Sequence, residues 1–179
     1  GDVYKRQVRI ERSTGERGLS AQTPELLELA ARIARQSREQ PTDAIALHAR
    51  GRLALLEWKP GEAIEALQAA RSLGASQPDV TIDLASAYFQ RAEIQGADGA
   101  ADYTLAIDLL GRVIQQDPKN TAARFNRAVI AERLHLLAPA ISDLEEVLRW
   151  EQSSAWRKEA EGRLTRLRRA LKGFLDRTL

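Results

Sequence analysis

Two histidines, His48 and His135, and no cysteine set narrow limits on what 179 residues can do chemically. Without cysteine there is no thiolate nucleophile, no zinc ribbon and no disulfide framework. A proton relay needs an imidazole held between an acid and a nucleophile, and no Ser/His/Asp set can be assembled around either histidine. His135 lies near a predicted helix end between Leu134 and Leu136, where packing or capping is expected rather than ligation. Glu145 and Glu146 are paired acids by position only, because neighbouring helical residues diverge by about 100° and their carboxylates do not converge. Gly96-Ala97-Asp98-Gly99 follows no predicted strand and lacks a Lys-Ser/Thr pair, so it reads as a loop and not as a phosphate cradle. The expectation is a protein that is not an enzyme, with no catalytic residue, no metal ligand and no cofactor.

The elements that position these residues are helices. Thr23-Pro24-Glu25 reads as a helix opening, with a hydroxyl cap, a proline at the first turn and an acid at the positive dipole end. Leu26, Leu29, Ala30 and Ile33 then recur at helical spacing. Pro41-Thr42-Asp43 ends that helix and caps a second, and Lys59-Pro60-Gly61 turns into a third. Pro78-Asp79 opens a fourth, which the glycines at 96 and 99 break. The fifth runs to Asp117-Pro118, the sixth holds Phe125, Ala128 and Val129, and the seventh enters at Pro139. Ser153-Ser154 caps an eighth. Period-two runs of β-branched residues do not occur, so the fold class is all-α.

Charge is unevenly spread. Residues 21–155 hold 14 Lys/Arg against 19 Asp/Glu, whereas residues 156–179 hold eight against three. The body is therefore mildly acidic and carries no nucleic-acid footprint. No apolar run approaches the roughly 18 residues that a membrane span needs, and the protein is expected to be cytoplasmic. Gly1 to Gln7 resembles the translated end of a sequencing adapter, a scar of metagenomic assemblies, and no methionine is present, so the sequence reads as a fragment. Residues 1–22 are expected to form a disordered lead-in.

The second helices repeat one another. Glu62-Ala63-Ile64, Leu105-Ala106-Ile107 and Pro139-Ala140-Ile141 each place an apolar residue four positions beyond the alanine and a small or β-branched one seven beyond. Ala106 and Ala140 are 34 residues apart, and Ala63 and Ala106 are 43 apart, which is the same period with nine residues inserted around Gln95–Asp102. This period, with Gly51, Ala85 and Ala128 in the first helices, resembles the tetratricopeptide repeat family over residues 42–152. The family's Trp–Leu start is not matched, and of its closing prolines only Pro118 stands in place. PELLELAARI, DLASAYFQRAE, LAIDLLGRVIQQDPKNTAARFNRAVIAERL and SSAWRKEAEGRL further resemble the repeat region of bacterial proteins carrying a caspase-like CHAT domain. That domain works through a His/Cys pair, which this chain lacks.

The resemblance implies a right-handed α-solenoid: a leading helix over 24–40, repeats at about 42–75, 78–118 and 120–152, and a basic capping helix over 153–179. It also implies a protein-interaction scaffold, in which the first helices line a concave groove for a peptide or a neighbouring domain of the parent protein. Carried over by position, the groove residues are His48, Arg52, Leu55, Ser86, Phe89, Gln90, Phe125, Asn126, Val129, Glu132 and Arg133. Phe89 and Phe125 would be apolar anchors, Arg52 and Arg133 would pair with acids, and Asn126 would hold a peptide backbone.

The tail carries an alternative. Leu164, Leu167, Leu171 and Leu175 form a stripe suited to packing on the last repeat, and Arg163, Arg166, Arg169 and Lys172 would then project outward. Nucleic acid or an anionic surface bound through this helix is the competing expectation.

Overall fold

The computed structural model describes residues 24–40, 42–74 and 78–178. The lead-in, Thr23 and Pro41 lie outside the described residues. Eight α-helices follow one another: α1 (Pro24–Glu39), α2 (Ala44–Leu56), α3 (Pro60–Ser72), α4 (Pro78–Gln95), α5 (Ala100–Gln116), α6 (Thr121–Arg133), α7 (Leu137–Trp150) and α8 (Ser154–Thr178). A single 3-10 turn, Gly96–Gly99, joins α4 to α5. The described residues contain no strand, and none of their helices is long and apolar enough to cross a membrane.

The starts of α2 and α6 are fixed by short polar side chains. Asp43 accepts the Ile45 N–H at 2.9 Å and Asn120 accepts the Ala123 N–H at 3.0 Å, so each satisfies a donor that the first helical turn leaves free. Pro60 begins α3 where no N–H is required.

The contacts divide the chain into two compact units, Gly1–Leu109 and Leu110–Leu179. In the first, α2 packs on α3, and α3 on α4. Gly51 is at the α2–α3 crossing, where an added Cβ would lie 2.5 Å from Cγ and 2.7 Å from Cδ2 of Leu67. Only a residue without a side chain allows this approach, because Leu67 is itself fully buried. Ala63 and Ala85 are buried to the same degree. In the second unit α6 packs on α7, and α7 on α8. Ala128 and Ala140 are buried there, as are Ala123, Ala131 and Ala160, and small side chains at such positions let helix axes come within about 8–10 Å.

Both units contain the same corner. After α2, the Trp58 N–H donates to the Leu55 carbonyl at 3.1 Å and the Lys59 N–H to the Ala54 carbonyl at 2.8 Å. After α6, the His135 N–H donates to Glu132 at 3.1 Å and the Leu136 N–H to Ala131 at 2.8 Å. These paired bonds are a Schellman ending, which needs a left-handed residue just past the helix. Trp58 (φ 59°) and His135 (φ 58°) supply it, although neither is glycine. The α4–α5 connection differs. α4 has 18 residues where α2 and α6 have 13, and the four-residue 3-10 turn is added beyond it. Gly99 presses this turn onto α4, since a Cβ there would lie 2.5 Å from the Ala92 carbonyl oxygen.

Candidate functional site

The residues expected to line a groove come from α2 and α4 in the first unit and from α6 in the second. In the first unit, His48 on α2 donates from Nε2 to Asp83 Oδ2 on α4 at 2.7 Å. Arg52, one turn further along α2, brings Nε to 3.7 Å from the same oxygen and keeps 39% of its side chain exposed. Asp83 is buried. A buried carboxylate is stable only when paired, so this cluster fixes α4 against α2. Further along, the Gln90 amide donates to the Leu55 carbonyl at 3.1 Å. Gln90 Oε1 is buried and has no hydrogen-bond partner. Ser86 is buried and returns its hydroxyl proton to the Ile82 carbonyl in its own helix.

The two expected aromatic anchors are interior residues. Phe89 is 5% exposed and meets Tyr103 of α5 edge-on, with ring centroids 6.0 Å apart. Phe125 is 2% exposed and meets Trp156 of α8 edge-on at 5.1 Å. Neither ring is presented to a partner, because an aromatic side chain from a later helix covers each one. Leu55, Asn126 and Val129 are also buried. Of the eleven positions, His48, Arg52 and Glu132 are partly open and Arg133 is exposed.

Arg163 was expected to project outward and instead turns in. Its guanidinium lies 5.6 Å from the Phe125 ring centroid and donates to Glu132 of α6 at 2.7 Å and to Glu159 at 3.1 Å. Two effects draw it inward: a cation over an aromatic face, and two carboxylates within reach. The leucine stripe holds as far as Leu167. Ala160, Leu164 and Leu167 are buried and Leu171 is half-buried, but Leu175 is 48% exposed, as is Phe174 at 55%.

Buried acids absent from the groove expectation tie the hairpins internally. Asp143 on α7 accepts a forked pair of bonds from Arg127 at 2.7 and 2.8 Å and a third from Arg124 at 3.0 Å. Asp102 accepts a similar fork from Arg91 at 2.6 and 2.7 Å. Those hydrogen bonds hold both Arg127 and Arg91 above the ordinary arginine range. Thr121 donates to Glu151 at 2.7 Å, which links the start of α6 to the end of α7. No group of three or more His, Cys, Asp or Glu able to hold a metal occurs among the described residues.

No protein-family model matches the chain, and no curated protein matches it. Polar contacts join α2 to α4 in one unit and α6 to α8 in the other. His48 and Asp83, and likewise Leu55 and Gln90, are 35 residues apart, while Glu132 and Arg163 are 31 apart. Sequence spacing locates these helices. It does not reveal that the later helix seals the face of the earlier one.

Proposed function

We propose that this chain is a repeat scaffold of the tetratricopeptide type that holds a peptide, or a neighbouring domain of a larger bacterial protein, against its first helices. The observation that carries the proposal is the recurrent corner. Two hairpins end their first helix with the same pair of main-chain bonds and a left-handed residue at the same place, with Gly51 at the α2–α3 crossing and Ala85 and Ala128 buried. Stacked helical hairpins bury a core between neighbours and leave one face of the array for partners. No feature of the described residues favours catalysis over binding.

In the first unit the basic groups His48 and Arg52 of α2 are partly open, so a partner segment carrying carboxylates is the best chemical match. The test is an array of immobilised 12-residue peptides probed with the full chain. Acidic peptides should be retained, Arg52→Gln should weaken that retention at least tenfold, and Arg52→Lys should keep it. No retained peptide, or retention indifferent to Arg52→Gln, would overturn the proposal.

A further inference from the structure

α8 differs from the other helices in its charge. Lys158, Arg166, Arg169, Lys172 and Arg177 are all exposed and form no ion pair among the described residues, whereas Arg163 and Arg168 are engaged by Glu132, Glu159 and Glu145. With 3.6 residues per turn, the five fall within an arc of about 140°. That arc is opposite the seam of Ala160, Leu164 and Leu167, which is buried. At a rise of 1.5 Å per residue they span about 28 Å, with gaps of about 12, 4.5, 4.5 and 7.5 Å. Gly162 and Gly173 lie within the same arc. A Cβ at Gly173 would meet nothing within 4 Å, and one at Gly162 would meet only the Arg166 guanidinium at 3.7 Å. The same arc also carries Thr165 and two acids, Glu159 at its edge and Asp176, so five cations stand there against two carboxylates.

We propose that this outward face of α8 binds the phosphodiester backbone of a nucleic acid strand without reading its sequence. The proposal is independent of the first-helix face. A strand offers a continuous line of charge, which matches cations strung along one helix. Lipid is the poorer match. A membrane-lying helix sinks its apolar side into the bilayer and carries its cations on the flanks, but here the apolar seam is covered by the protein along Ala160, Leu164 and Leu167, and beyond it two large apolar side chains, Phe174 and Leu175, are exposed. No aromatic side chain stands on the cationic arc to stack a base, so contact is with phosphate and follows salt rather than sequence.

The experiment measures fluorescence anisotropy of a labelled 20-nucleotide oligo(dT) and of a 20-base-pair duplex against the full chain. Five phosphate contacts to a single strand give a slope of log K on log salt near −3.5, so raising NaCl from 50 to 200 mM should weaken binding about 100-fold. Binding by either probe supports the proposal and tells which strand form is preferred. The fivefold variant Lys158→Gln, Arg166→Gln, Arg169→Gln, Lys172→Gln, Arg177→Gln should lose binding and salt slope together with an unchanged circular-dichroism melt. Arg71→Gln with Arg112→Gln, exposed arginines elsewhere, should bind as before. The proposal is overturned by three results: no oligonucleotide binding at 50 mM NaCl, binding that survives the fivefold variant, or binding to phosphatidylserine vesicles or polyglutamate in place of oligonucleotide.

Discussion

Gly51→Ala should destabilise the protein, although alanine is the better helix former. The propensity change alone favours alanine by about 1 kcal/mol in a helix interior. Against it stand the new methyl's distances of 2.5 and 2.7 Å to two carbons of Leu67, where carbon pairs settle at about 3.5–4.0 Å. Relief requires a shift of about an ångström in a side chain with no free surface, and overpacking of this kind costs roughly 1–3 kcal/mol. The clash wins, with a net loss of about 1–2 kcal/mol at the upper part of that range. For a chain of this size that lowers the melting temperature by about 2–8 °C. Gly61→Ala is the internal control: it is also helical and exposed, with nothing within 4 Å of its Cβ, and should gain up to about 1 kcal/mol. Urea unfolding of both variants reads the difference directly. In a Leu67→Ala background the Gly51 methyl has room, so Gly51→Ala should become neutral or stabilising, with a coupling of about 2 kcal/mol. Equal stabilisation by Gly51→Ala and Gly61→Ala, or a cycle with no coupling, would refute the close-crossing argument.

Two further outcomes follow from backbone and hydrogen-bond geometry. His135→Gly should raise stability by about 1 kcal/mol in thermal or urea unfolding, because a left-handed conformation costs an L-residue roughly 1–2 kcal/mol and the His135 ring is exposed; Trp58→Gly should gain less, since it also gives up a half-buried ring. Gln90→Leu should be neutral or stabilising by up to about 2 kcal/mol, since it removes a buried orphan oxygen while the Leu55 carbonyl keeps its bond from the Trp58 N–H; a loss above about 1 kcal/mol would show that Gln90 Oε1 is satisfied in solution.

The helices were legible because their punctuation is local. Asp43, Pro60, Pro78 and Asn120 act within a turn of themselves, and the expected boundaries at 24–40 and 153–179 fall within a residue or so of α1 and α8. Around Gln95–Asp102, where the spacing expects extra residues, α4 is five residues longer than α2 and α6 and runs into a 3-10 turn. The face of each first helix was not legible. Whether Phe125 meets a partner or the core depends on Trp156, 31 residues later, and single-helix periodicity does not carry that information. Arg163 was misplaced for the same reason, since its carboxylate Glu132 and its ring Phe125 belong to another helix. The corners were hidden in a different way: neither tryptophan nor histidine advertises a positive φ, so only the backbone reveals that positions 58 and 135 are equivalent.

Those twin corners bear on how such a chain can drift. Main-chain amides and carbonyls close them, and every residue except proline supplies both groups. Substitution at either position then alters the strain stored there while leaving the direction of the outgoing helix unchanged.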